Sequence, residues 1–174
     1  IGSWMQTYSG RSFWPLDPRP EEVFLIDIAH ALSMSCRYAG HCLRFYSVAE
    51  HSVLVSRFVP QEFALWGLLH DAGEAYSADI PKPLKIHLKE WGAIEEKIMN
   101  AVCLRFGLPL QEPPEVKAID FAMLEDERRL VMGPCERDWG KLPASLGADI
   151  KCLEPVYAKL AFVDRFNEIM SNNR

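Results

Sequence analysis

Leu68-Leu69-His70-Asp71-Ala72-Gly73-Glu74-Ala75-Tyr76 sets a histidine, an aspartate and a glutamate within five residues, directly after the apolar run Phe63-Ala64-Leu65-Trp66-Gly67-Leu68-Leu69. A run of that kind is built to be buried, and burying ionisable groups costs free energy unless something neutralises them. A divalent metal ion is the usual partner. Upstream, Ser47-Val48-Ala49-Glu50-His51 reads as a capping box, Ser at N-cap and Glu at N3, so a helix starts at Val48 and carries His51 in its first turn.

Outward from these two segments the signals are helical nearly throughout. Asp27–Ser33 reads as a short first helix. The helix from Val48 sets Val48, His51, Ser52, Val55 and Phe58 or Val59 on one stripe, and Pro60 ends it. The next is expected from about Gln61 to Tyr76 as one run. Ile94, Ile98, Ala101, Val102 and Arg105 mark another, stopped by Gly107-Leu108-Pro109. Pro113-Pro114 opens one with Val116, Ile119, Asp120, Met123, Leu124, Glu127, Leu130 and Val131 at helical spacing. A last helix follows Pro155, with Val156, Leu160, Val163, Asn167 and Met170 on its apolar face. No sustained alternating strand pattern and no internal repeat occurs. The expectation is an all-α fold, a single domain over 1–174, with an extended arm at 1–22 and an irregular loop at 133–154. The Gly and Pro content of that loop, and its lone Trp139, predict a mobile segment near a pocket mouth or a partner subunit.

His51, His70 and Asp120 each fall on the apolar stripe of a different helix. One histidine so placed is usually a hydrogen-bonded core residue. Three polar intruders on three helices are explained together by one ion. Glu74 lies four residues after His70 and three after Asp71, on their face, where a carboxylate is suited to take a proton from water at a metal rather than to bind it. Arg37, His41 and Arg44 precede the capping box in a glycine-containing turn, and guanidinium groups there suit a phosphate.

Composition narrows the classes. The chain has 174 residues, 49% hydrophobic and 25% charged, as expected of a globular protein with a substantial core. A net charge of −5 without a basic block argues against a nucleic-acid partner. No apolar run reaches membrane-spanning length, so no membrane association is expected. Five cysteines, an odd number with no CxxC pair, fit a reducing cytoplasm better than a disulfide framework. The chain opens on Ile1-Gly2-Ser3 without Met, so its natural start is expected to lie elsewhere.

The order His51 … His70-Asp71 … Asp120 resembles the H…HD…D signature of the HD-domain metal-dependent phosphohydrolases. Ser47–Ser52 and His70–Lys85 resemble its small bacterial and phage nucleotidase branch, which holds 5′-deoxynucleotidases and a dATP triphosphohydrolase. The HDxxExxxxDxP string with an upstream EHS is specific, and the likeness runs from about Asp27 to Arg129. It implies a compact HD-type helical bundle with the metal site in its core. His51, His70, Asp71 and Asp120 match the family's ligands, Glu74 its catalytic glutamate, and Asp79 a second acidic residue near the scissile phosphate. Arg37-Tyr38 matches an Arg-aromatic pair that contacts the nucleotide. The cofactor implied is one divalent transition ion (Mn, Co, Zn, Fe and Ni all fit), with a second, Mg or Mn, able to arrive with substrate. The implied partner is a nucleotide, hydrolysed at a 5′-monophosphate or at a triphosphate; a non-catalytic nucleotide-binding module and a homodimer stay open.

Overall fold

The computed structural model describes residues 2–172. It is mostly helical, and the elements follow the turn chemistry of the sequence. Helix α1 spans Leu25–Met34, α2 Val48–Phe58, α3 Ala64–Leu69, α4 Glu74–Ser77, α5 Lys82–Lys85, α6 Trp91–Phe106, α7 Pro114–Leu130 and α8 Pro155–Asn172. Proline opens α7 and α8, where its missing N–H is not needed. Gly107 ends α6 in the left-handed conformation. Among the described residues no helix is long and apolar enough to cross a membrane.

The all-α expectation needs one correction. The arm folds into a small antiparallel hairpin, β1 (Met5–Gln6) paired with β2 (Ser12–Phe13). Phe13 anchors it, fully buried and stacked on Tyr76 at 4.0 Å between ring centroids. The Asp27 carboxylate accepts from Ser9 N–H and Oγ at 2.6 and 2.9 Å. Ile1 lies outside the described residues.

Helix α2 is the centre of the molecule. Every residue from Val48 to Ser56 is buried, so it has no wet face and the single stripe expected for it does not exist. Its polar side chains are satisfied within the fold: Ser52 Oγ donates to the Val48 carbonyl at 2.9 Å, and Arg165 of α8 donates to Ser56 Oγ and the Ser56 carbonyl at 3.0 and 2.8 Å. Small side chains covered on all sides do not register as apolar periodicity. Helix α8 corrects a second expectation. It buries Ala158, Phe162, Arg165 and Ile169, while Val156, Leu160 and Met170 are exposed. The pattern misleads because the buried face contains Arg165 and the wet one is apolar.

Half of the capping box forms. Ser47 Oγ accepts from Glu50 N–H at 3.1 Å. The Glu50 carboxylate, instead of reaching back, accepts from the backbone N–H groups of Lys151, Cys152 and Leu153 at 2.7, 3.1 and 2.7 Å. Cys152 adopts φ 55°, which turns three successive donors inward as an anion-binding nest. Asp126 of α7 holds the same loop again, accepting from Leu146 N–H at 2.8 Å and from Ser145 Oγ. Residues 133–154 are irregular, as expected, but their second half is tied down by two carboxylates rather than free over its length. Glu50→Ala leaves three backbone N–H donors without their acceptor. It is expected to cost about 3 kcal/mol, read as a lower urea midpoint at unchanged slope, with the backbone amides of 151–153 losing hydrogen-exchange protection.

Candidate metal centre

Helices α2 and α3 meet at a glycine. A Cβ on Gly67 would lie 3.0 Å from Ser56 Cα and 3.0 Å from Val59 Cγ2, so only glycine permits this approach. The contact brings the C-terminal end of α3 against α2, and His70 emerges there. The helix expected to run unbroken to Tyr76 is tightened after Leu69. Ala72, Glu74, Ala75 and Tyr76 each donate to the carbonyl three residues back. In such a turn residues three apart eclipse, which stacks Glu74 over Asp71 more directly than an α-helix would.

His51 Nε2 and His70 Nε2 lie 3.3 Å apart. Asp120 Oδ1 is 3.1 Å from the first and 3.8 Å from the second. Asp71 Oδ2 is 3.2 Å from His70 Nε2 and 3.8 Å from His51 Nε2. His51, His70 and Asp120 form a group able to hold a metal ion. Asp71 stands at the same two nitrogens. Asp120 is nearer the surface than its stripe position suggests, its side chain 41% exposed.

The tautomers are dictated from behind. His70 Nδ1 donates to the Gly67 carbonyl at 2.8 Å, and His51 Nδ1 meets Glu127 Oε1 at 2.7 Å. Each neutral ring therefore turns a bare Nε2 toward the other and toward two carboxylates. Lone pairs so arranged repel unless a cation lies among them. Atoms bound at about 2.1 Å to one ion sit about 3.0–3.5 Å apart, close to the separations here. The residues fit the ion. Electrostatics carries the same demand: burial pushes His70 down, yet Asp71 and Asp120 outweigh it and raise it to about 10. Burial and Arg37 push His51 down, and Glu127 with Asp120 overcome them to raise it.

Glu127 is the functional residue left unassigned in the sequence. It is fully buried on α7 and also accepts from Arg37 Nη2 at 3.0 Å and from the Tyr38 hydroxyl. Burial works against its charge, but Arg37 and His51 hold its carboxyl well below the ordinary range. It lies seven residues after Asp120, two turns along the same stripe, so the signal that singled out Asp120 applied to it equally.

The other expected residues divide. Arg37 belongs to the site: Nη1 is 3.7 Å from Asp71 Oδ2, and its buried Nε has no partner among the described residues. Tyr38 sits beside it at φ 54°, its ring 5.8 Å from Trp139, so the irregular loop does reach the site's edge. Glu74 Oε2 is buried without a partner, and Lys85 Nζ approaches Oε1 at 3.9 Å. Asp79 follows Ala78 at φ 112°, a strained turn, and lies in the field of Arg37, Asp71 and Lys85. Arg44 is not brought to the site. It is exposed and donates to the Lys151 carbonyl at 3.2 Å, because the nest around Glu50 presents that carbonyl beside it. His41 is exposed too, and its ring makes no hydrogen bond among the described residues.

No family model matches the chain. It is 41% identical over 170 residues to the Escherichia coli K12 protein named "Uncharacterized protein YfdR", with 96% of each chain covered. It is also 33% identical over 188 residues to "Uncharacterized protein RCAP_rcc00048" of Rhodobacter capsulatus, covering 97% of this chain and 96% of that one. The chain belongs to the YfdR family. Both matches cover nearly the whole chain.

Two outcomes test the centre in this YfdR-family protein. His70→Ala and Asp120→Ala are expected to abolish stoichiometric binding of Mn²⁺ or Co²⁺, while Glu127→Gln, which keeps an acceptor but loses the charge, weakens it about 10–100-fold. Full occupancy in all three by metal analysis would refute the assignment. The ion must also displace protons from imidazole, so apparent affinity is expected to rise from pH 6 to pH 9, by up to about tenfold per unit for each proton displaced; titration at fixed ionic strength reads it.

Proposed function

We propose that this protein is a metal-dependent nucleotide phosphohydrolase of the HD type, acting on (deoxy)nucleoside 5′-monophosphates to release phosphate. The observation that carries the reading is the joining of His51, His70, Asp71 and Asp120, with Arg37 beside Asp71 and with Glu74 on the same cavity wall as His70 and Asp71. A binding module has no need of two desolvated carboxyls there. A cavity of about 240 Å³ beside His70 is lined by Asp71, Glu74, Ser77 and Lys85, and it has room for a phosphate group.

A divalent ion held by the His/Asp group would supply charge against the phosphate oxygens and acidify water. Arg37, fixed by Glu127 through Nη2, offers its Nη1, 3.7 Å from Asp71 Oδ2, to a phosphate oxygen. Glu74 is the proton acceptor. Burial, with Asp71 and Asp79 nearby, pushes its carboxyl up to about 9, and added positive charge beside it lowers that toward working pH. Asp79, raised mainly by burial, can return a proton to the departing 5′-oxygen.

Cation count favours a monophosphate over a triphosphate. Lys85 lines the cavity and Arg37 lies behind its wall, 3.7 Å from Asp71; Arg44 is tied to the Lys151 carbonyl and Lys82 is exposed. A triphosphate tail of about three to four charges would need more partners than these two. Glu74→Gln is expected to keep its metal and lose about 10²–10⁴-fold in turnover. Incubation of the Mn²⁺ or Co²⁺ form with dAMP and with dATP separately is expected to give inorganic phosphate from dAMP. Tripolyphosphate from dATP with dAMP untouched would reverse the choice of substrate.

A further inference from the structure

A second cavity, of about 460 Å³, opens on the other side of His70. It shares His70, Glu96 and Met99 with the smaller one, so the two form one bent cleft with a metal-binding histidine at the elbow. Its size falls in the range of small-molecule sites, whereas the first does not reach it. The apolar part of the wall comes from Trp66, Met99 and Leu110. Trp66 is nearly buried, and its indole Nε1 donates to the Pro109 carbonyl at 3.1 Å, which fixes the ring. The polar part is Glu96, Asn100, Gln111 and Glu112. No lysine or arginine lines this cavity, and two carboxylates do, so a phosphate tail is repelled from it. A flat, uncharged group with hydrogen-bond donors on its edge is what the wall suits.

We propose that this cavity takes the nucleoside of the substrate, and that Glu112 and Glu96 select bases carrying an amino group (adenine, cytosine, guanine) over thymine. The assignment deepens the nucleotidase reading and rests on it for the phosphate's place in the smaller cavity. An ionised carboxylate only accepts, so it rewards the N6, N4 or N2 amino donors of those three bases. Thymine offers a single ring N–H and, where the others can present an amino group, a carbonyl that faces a carboxylate unfavourably. Asn100 and Gln111 donate as well as accept and so can satisfy the ring nitrogens of any base. Glu112 is the more enclosed of the two carboxylates and lines the same cavity as His70.

The test separates binding from chemistry. The full chain with Mn²⁺ is titrated calorimetrically with deoxyadenosine, deoxycytidine, deoxyguanosine and thymidine, which carry no phosphate. Release of phosphate from the four 5′-monophosphates is measured in parallel. The amino-bearing nucleosides are expected to bind about tenfold more tightly than thymidine, a hydrogen bond to a charged acceptor being worth that much. Glu112→Gln is expected to erase most of the gap. Asn100→Leu, with α6 otherwise intact, is expected to weaken all four, and metal content verifies that each variant is folded. Equal binding of all four nucleosides, or an unchanged preference in folded Glu112→Gln, would overturn the assignment. Nucleoside discrimination without phosphate release would leave the cavity assigned and remove the hydrolase reading; release without discrimination would do the reverse.

Discussion

The site depends on a steric constraint at one residue. Gly67 lies against the backbone of α2, and a single methyl there would push α3 off by several tenths of an ångström. Two facing imidazole nitrogens at 3.3 Å do not tolerate such a displacement. The same glycine accepts the Nδ1 hydrogen of His70 through its carbonyl, so one residue sets both the distance and the tautomer. On the α2 side Glu127 does the corresponding work for His51, from a third helix. The centre is thus held by packing of α2 on α3 and by one buried carboxylate of α7, and its geometry is as rigid as the core.

Much of this was legible because polar residues stood where the helical pattern calls for apolar ones. His51, His70 and Asp120 announced themselves that way, and the structure joins them. Glu127 carried the identical signal and was absorbed into its stripe, since a glutamate two turns from a ligand has no spacing rule of its own. Arg44 shows the opposite failure. A basic residue in a turn before a ligand looks like a phosphate contact, but its partner is a backbone carbonyl about a hundred residues away, and no local pattern encodes that. The cavity walls at Asn100, Gln111 and Glu112 were equally silent, being ordinary surface residues until tertiary structure turns them toward His70.

Helices α2 and α8 formed where expected, but their buried faces were misassigned where periodicity assumes one wet side. In α2 all sides are covered, and its serines and Glu50 are satisfied by backbone groups, so a polar letter does not mean exposure. In α8 the buried face includes Arg165, whose guanidinium reaches Ser56, while Val156 and Leu160 lie outside. Amphipathic pattern reports what a residue prefers on average. It cannot report a buried polar group whose partner lies on a different helix.

The charge balance of the site explains why cation binding and phosphate chemistry belong together in the proposed reading. Five carboxylates, on Asp71, Glu74, Asp79, Asp120 and Glu127, converge on two permanent cations, Arg37 and Lys85. Of these, Glu127 is bound to Arg37, and Lys85 pairs more closely with Glu95 at 2.7 Å than with Glu74. Left to itself the cluster recruits protons, onto the histidines and onto Glu74, which is what the raised values of His70 and Glu74 express. A phosphate dianion approaching such a cluster meets net repulsion in a poorly screened interior. In the proposed reading His51, His70 and Asp120 would hold a divalent ion in place of the histidine protons, and its charge would draw Glu74 toward its basic form. The same charge would turn an acidic opening into one that an anion can enter. Substrate binding and proton acceptance would then depend on one event, the loading of the imidazole pair.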